Sequence, residues 1–446
     1  MEKKTVLSIV SMLMIVGFVS ICFSPFVVMA QPISPTLIGS NVWMNPGDAQ
    51  WATLTDLGVK IMRVGGAAYD RRMPSDSQLM TWISAIKKMG AQPLIQVPQY
   101  GEERAANAAR IVKLFNIDNP EYYVKYWGIG NEPWLQAGKP AFPSIIATIE
   151  GYYKEIAPSM KAVDPNIKIY GPDMCYYESQ VYDALFGGPN DIAGKIPGKN
   201  YYYTDGLSWH RYVGGDLAHK GLEDFHKSIV ACKARVDYAN NLHNRTGDDA
   251  LGWGIGEFNS NAGNGGTVSF AAGQMFAGIY MYCMLNAATF TTNWSIKEGG
   301  SSGSGTDFGL LNRNNSPRST AAHMQMVTLN MNGEYVSGTS SDREVLVFGS
   351  KNPSKICAMI VNRSENGQKY TIRLDNKTVS QNQLTLNIDS GIPREYSNHI
   401  NGNESQLIVF SSSGIPLEKW TYNSEMNGKW ADREIIQIET PAFGNQ

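Results

Sequence analysis

Apolar and polar positions alternate along the chain in two distinct rhythms. Short apolar runs bounded by Gly, Pro, Asn or Asp, at residues 37–43, 59–66, 91–97, 126–131, 168–171, 206–212, 251–258 and 288–294, predict eight strands. Stretches with apolar residues three and four apart predict helices at 76–89 (Leu79, Trp82, Ile83, Ile86), 105–115, 145–163, 222–242, 270–285 and 320–329. The return helix of the fifth unit is poorly marked through the Gly-, Pro- and Asn-rich stretch 187–200. Eight strand-then-helix units in about 300 residues predict a (β/α)8 barrel, an α/β fold, rather than an open doubly wound sheet.

The helical rhythm stops after Met331. Runs at 345–348, 356–361, 370–374, 384–388 and 407–410, separated by Asn, Gly, Ser and Asp, predict a smaller antiparallel β-sandwich. The expected organisation is therefore a leader over 1–30, a barrel over 31–334 and a sandwich over 335–446. The sandwich is expected to brace the barrel; a glycan-binding module is the alternative. The Gly/Ser-rich run 299–305 falls between the eighth strand and the last helix, which makes it a loop at the barrel mouth.

The leader reads as a secretory signal, with an uncleaved membrane anchor as the alternative: Lys3 and Lys4, an apolar run over 6–23, and the small-residue pattern Val28-Met29-Ala30 before Gln31. Cleavage would deliver a soluble extracellular or periplasmic protein with no stable membrane insertion, because no later stretch is apolar enough to span a bilayer. The chain has 446 residues, 43% hydrophobic and 17% charged, with a formal net charge of -2. Nothing in that balance supplies the basic field a nucleic-acid binder needs. The cysteines beyond the leader, Cys175, Cys232, Cys283 and Cys357, fit no metal-site spacing, and their apolar surroundings predict buried free thiols. No metal or organic cofactor is implied, since no dinucleotide fingerprint, Walker loop or zincin helix is present.

Barrel chemistry sits at the C-terminal ends of the strands. The fourth strand ends Gly-Asn131-Glu132-Pro133-Trp134 and the seventh ends Gly-Glu257-Phe258. Two carboxylates at opposed strand ends are the equipment for glycoside hydrolysis, one protonating the leaving oxygen and the other attacking the anomeric carbon. Arg63 stands in an otherwise apolar second strand and needs an anionic partner. His210 and Tyr212 alternate on the sixth strand and therefore share a side. Trp294 ends the eighth. Each of these also has a plain packing role available to it.

The combination resembles clan A of the retaining glycoside hydrolases: Arg after the second strand, Asn-Glu after the fourth, His-x-Tyr after the sixth, Glu after the seventh and Trp after the eighth. The resemblance implies Glu132 as acid/base and Glu257 as nucleophile. It implies Asn131 on the sugar 2-hydroxyl, Trp294 as floor of the subsite holding the attacked sugar, and Arg63, His210 and Tyr212 as positioning groups. Arg63 and Tyr212 are expected to favour the charged form of Glu257. The Arg-Tyr-Pro-Gly-Gly form of arabinofuranosidases is missing here, so no family within the clan is assigned.

Trp43, Tyr69, Tyr100, Trp134, Tyr176 and Tyr177 follow predicted strands one to five, where flat rings suit sugar faces. They favour a cleft for a polysaccharide or oligosaccharide. An exo-acting α-L-arabinofuranosidase or β-xylosidase is the alternative enzyme, and a non-catalytic carbohydrate-binding barrel the alternative from another class.

Overall fold

The computed structural model describes residues 31–42, 45–261, 266–298, 308–375 and 384–437. The leader, Trp43 and the loop 299–305 lie outside the described residues. Eight parallel strands close into a barrel in chain order: β1 (Ile38–Val42), β2 (Ile61–Val64), β3 (Gln92–Val97), β4 (Tyr126–Ile129), β5 (Lys168–Met174), β6 (Gly206–Val213), β7 (Gly252–Ser260) and β8 (Phe290–Asn293). β8 pairs back onto β1.

Alternation along these strands fills the barrel in layers. Ile61, Leu94, Tyr170 and Phe290 form an apolar cluster of their own inside the barrel. Two positions further along β2 and β3, on the same side, stand Arg63 and Gln96, both fully buried. The residues between them, Met62, Val64, Ile95 and Val97, face outward into the layer shared with the helices. The barrel thus has an apolar floor and a polar upper layer, which opens at the strand ends.

The helices follow local signals. Ser75 caps Asp76–Lys88 by accepting from the Gln78 backbone N–H, and Leu79, Trp82, Ile83 and Ile86 are its buried stripe. Phe270–Leu285 is apolar on every face because it is covered on every face, by the barrel on one side and by Ser319–Asn330 and the second sheet on the other. Two helices differ from expectation. Asp48–Asp56 was not legible, since Leu54 is its one buried residue. The fifth return helix is Ser179–Leu185, a short segment that precedes the Gly/Pro-rich stretch.

The second sheet runs β9 (Glu334–Ser340), β10 (Val345–Lys351), β11 (Lys355–Asn362), β12 (Gln368–Arg373), β13 (Leu384–Ile388), β14 (Glu395–Ile400), β15 (Glu404–Ser411), β16 (Pro416–Asn423) and β17 (Asp432–Ile435). Its spatial order is β14-β12-β13-β9-β10-β11-β15-β16-β17, folded over at β9, which pairs with β10 through its first half and with β13 through its second. Neighbours pair antiparallel except β12 and β13, which run parallel. The strand Gln31–Pro32 adds to β9, so the start of the described chain crosses into this sheet.

Central strands of this sheet are buried on both faces, which is why they read as unbroken apolar runs. Phe348, Cys357, Met359, Val361, Leu407 and Val409 belong to the core shared with the barrel helices. Val347, Ile356, Ala358, Ile360, Ile408 and Phe410 alternate with them and pack against β12, β13 and β14. Burying each large apolar side chain stabilises by about 1.5–3 kcal/mol. Polar contacts fix the register of the seam: Gln274 Nε2 donates to the Asn362 carbonyl at 2.8 Å, Arg363 donates to the Ala218 carbonyl at 2.9 Å, and His323 Nε2 lies 2.8 Å from Ser405 Oγ. Among the described residues no helix is long and apolar enough to cross a membrane. Among the described residues the four cysteines are free thiols, three buried and Cys175 partly so.

Candidate active site

Arg63 is the hub. Its guanidinium, with no solvent exposure, donates from Nη1 to Glu257 Oε1 and Asn41 Oδ1, both at 2.8 Å. Nη2 donates to Asn131 Oδ1 at 2.8 Å, Gln96 Oε1 at 3.0 Å and Asp173 Oδ2 at 3.1 Å. Five acceptors from five strand ends around the barrel meet one planar fork, which a lysine could not satisfy.

The two glycines after β2 make this packing possible. A Cβ on Gly65 would lie 2.6 Å from Gln96 Oε1. Gly66 has φ 117, and a Cβ there would lie 2.7 Å from the Trp294 ring. The Arg-Val-Gly-Gly segment therefore delivers the guanidinium inward and then turns beneath Trp294.

Glu257 is 5% exposed, and its second oxygen accepts from Tyr212 Oη at 2.8 Å. Burial pushes its carboxyl above the usual range; His210, Arg63 and the Tyr212 hydroxyl pull in the opposite direction, and the charge of Glu132 adds to the rise. Arg63 and Tyr212 thus support the charged form, as expected, but burial outweighs them. Tyr212 keeps its own proton, because burial and then Glu257 push the phenol well above its ordinary value.

Glu132 is only partly buried and stands in left-handed backbone, φ 45, immediately before the short helix Pro133–Gln136. Its Oε1 lies 3.1 Å from His210 Nδ1. Oxygens of Glu132 and Glu257 and a ring nitrogen of His210 all lie within 4.8 Å of one another. An oxygen of each carboxylate thus lies within 4.8 Å of the other, which goes with the roughly 5–5.5 Å carboxyl spacing of retaining glycosidases rather than the 6.5–9.5 Å of inverting ones. The same three atoms could geometrically span a cation, but the donor set does not suit one. Arg63 already supplies Glu257 with a positive partner, and His210, although burial opposes its charge, is raised to about 10 by Glu257 and Asp173. A protonated imidazole offers no lone pair.

Three register breaks fall at the chemistry. Pairing shifts between Pro172 and Met174 on β5, between Trp209 and His210 on β6, and between Ile255 and Phe258 on β7. They come from two extra residues, Asp173 on β5 and one between Ile255 and Phe258 on β7, which re-aim the Asp173 and Glu257 side chains, while β6 keeps its alternation through His210.

The expected aromatic residues separate into groups. Trp294 packs over Gly66 and donates from its indole N–H to Glu298 at 2.9 Å. Trp134 is half-buried, edge-on to Tyr176 at 5.6 Å between centroids, with its indole N–H on the Pro140 carbonyl at 2.9 Å. Tyr100 is 42% exposed. Tyr69 lies 5.8 Å from Trp82 and helps line a cavity of about 740 Å³ with Asn45, Arg72 and Gln78 beside the mouth. Tyr177 is a correction: its ring stacks on Tyr182 at 4.8 Å and its hydroxyl donates to the Ala231 carbonyl, so it packs between two helices rather than facing a cleft.

Sequence reasoning missed Asn41, Gln96, Asp173 and Ser208. A usable signal exists for most of them: each is a polar residue on a barrel strand at the inward phase, as Ser208 is two positions before His210.

The fold class is a (β/α)8 barrel joined to a β-sandwich, an architecture found among glycoside hydrolases. The chain superposes on an α-L-arabinofuranosidase from Thermotoga maritima solved with arabinose, at TM-score 0.62 and 13% identity, over 85% of this chain and 97% of that one. It is similar to a bifunctional glucanase-xylanase from a metagenome library (TM-score 0.60, 15% identity, 85% and 96%). A glycoside hydrolase family 30 subfamily 8 xylanase from Clostridium acetobutylicum is a third (TM-score 0.57, 14% identity, 86% and 97%). No family model and no curated protein matches the chain by sequence.

Proposed function

We propose that the protein is a secreted retaining β-glycoside hydrolase, endo-acting on a polysaccharide by double displacement. The observation that carries this reading is the pair Glu132 and Glu257, with facing oxygens within 4.8 Å at the open end of the barrel. Glu132 gives its proton to the glycosidic oxygen while a Glu257 oxygen bonds to the anomeric carbon and the leaving sugar departs. Water then attacks that carbon, Glu132 takes the water's proton, and the ester to Glu257 breaks. Arg63 and Tyr212 fix the Glu257 carboxylate so that it meets the sugar without reorganising. Asn131, its oxygen taken by Arg63, keeps its NH2 end for a sugar hydroxyl.

An extended substrate is supported by Tyr100 and the Trp134–Tyr176 pair on separate loops and by the cavity along Tyr69, Arg72 and Gln78. The arabinofuranosidase among the fold neighbours keeps exo-acting α-L-arabinofuranosidase as the second reading, with β-xylosidase beside it. The buried seam between sheet and barrel supports the brace role for the sandwich. The test is a panel of polysaccharides with reducing-end detection, run with the parent and Glu257→Ala. Release of new ends by the parent alone is expected. Equal release by both proteins, or activity confined to aryl monosaccharides, would overturn the reading or its endo-acting part.

A further inference from the structure

We propose that Asp173 is a positioning residue that keeps both ring protons on His210, leaving Glu132 as the one side chain of the cluster that exchanges a proton during turnover. The proposal rests on the glycosidase reading for its second half only; the protonation of His210 stands on the geometry of the free protein.

Asp173 occupies the register break of β5 in left-handed backbone, φ 51, and is 3% exposed. Its Oδ1 accepts from Ser208 Oγ at 2.5 Å. Its Oδ2 accepts from Arg63 Nη2 at 3.1 Å and faces His210 Nε2 at 3.6 Å. Across the barrel interior β7, two strands away, leaves room for it, since a Cβ on Gly256 would lie 2.7 Å from Oδ1.

His210 is fully buried with carboxylates on both sides. Nδ1 lies 3.1 Å from Glu132 Oε1 and 3.5 Å from Glu257 Oε2, and Nε2 faces Asp173. Arg63 and the Tyr212 hydroxyl stand behind those carboxylates and donate to them, with Ser208 on the far oxygen of Asp173. A neutral imidazole here would point a bare lone pair at a carboxylate; a doubly protonated one donates from Nδ1 to Glu132 and sets its Nε2 charge 3.6 Å from the Asp173 carboxylate, an ion pair rather than a hydrogen bond. Burial opposes both charges, yet Arg63 and His210 hold the Asp173 carboxyl at about 2.

The charges then balance. Arg63 and His210 are positive, Asp173 and Glu257 negative, and Glu132 is left to carry the working proton. Without Asp173, His210 keeps Glu257 but loses the only carboxylate on its Nε2 side, and an imidazole so weakened, 3.1 Å from Glu132, would compete for that proton. The proton would sit on His210 when the glycosidic oxygen needs it. With Asp173 in place, His210 is saturated, donates Nδ1–H to the carboxylate formed on Glu132, and keeps both protons through both half-reactions.

The experiment is a ring-¹⁵N histidine titration of the intact protein from about pH 5 to about pH 9, with no substrate. Both nitrogens of His210 are expected to stay protonated throughout. A midpoint near 6.5 in the parent would overturn the proposal whatever the activity shows. In Asp173→Asn the midpoint is expected to move into that window. In the same variant kcat falls by about 10-fold or more, with KM within about 2-fold, and the alkaline limb of the pH–rate profile moves. A variant whose His210 and pH profile both overlay the parent also overturns it. If the variant fails to fold, the parent titration decides alone. An inactive parent would sink the glycosidase reading and leave the spectra to judge His210.

Discussion

Tyr212 Oη and Glu257 Oε2 share a 2.8 Å hydrogen bond across adjacent barrel strands, with the proton held by the tyrosine. This bond supports the charged carboxylate against burial, which pushes Glu257 upward. Removing the donor in Tyr212→Phe should raise Glu257 further. The acid limb of kcat/KM then moves to higher pH, by several tenths to about one unit, with kcat lowered. A pH–rate series checks it; an unmoved acid limb would separate Tyr212 from the nucleophile.

Arg63 joins Glu257 and Asp173 from a position with no solvent exposure. Arg63→Met leaves two buried carboxylates with His210 as their remaining cation, and breaking buried pairs of this kind costs about 3–5 kcal/mol. Urea unfolding measures the loss directly. Arg63→Lys should recover only part of it, because an ammonium cannot reach acceptors on five strand ends at once. Full recovery by lysine would show that charge alone matters there.

Acid stability should carry the signature of Asp173. Its carboxyl is held at about 2 against an ordinary 3.8, mainly by Arg63 overcoming burial. Its contribution is therefore complete above pH 3.8 and disappears as pH falls through about 2. Parent and Asp173→Asn should differ in unfolding free energy at neutral pH and converge at the acid end. A difference that stays constant down to about pH 2 would mean that the native carboxyl titrates normally.

The sheet seam predicts that the barrel does not stand alone. A chain ending near residue 334 would expose the barrel-side partners of Phe348, Met359 and Leu407, each worth about 1.5–3 kcal/mol. Such a chain should be recovered as aggregate or unfold at lower temperature in a thermal melt. A soluble, fully active barrel would contradict the brace role.

Much of the fold was legible because eight short apolar runs recur along the barrel half, six of them followed by a stretch with helical spacing. The less legible elements share a physical cause. Asp48–Asp56 buries almost nothing, and Glu395–Ile400 alternates exposed and half-exposed residues, so neither has an apolar stripe. The site was partly legible: Arg63 is a charge in an apolar strand, and Glu132 and Glu257 follow glycine-rich strand ends. Asp173 escaped notice because a lone Asp after Pro172 resembles a turn residue. Its partners Ser208 and Arg63 lie 35 and 110 positions away in the chain, so only closure of the barrel reveals it.

The anomeric configuration of the first product is the most direct measurement. Proton NMR within the first minutes of hydrolysis, before mutarotation, distinguishes the two outcomes. Carboxylate oxygens within 4.8 Å of each other, at the short spacing that goes with double displacement, predict a product that keeps the configuration of the bond cleaved. An inverted first product would contradict the assignment of Glu257 as nucleophile and of Glu132 as its acid/base partner.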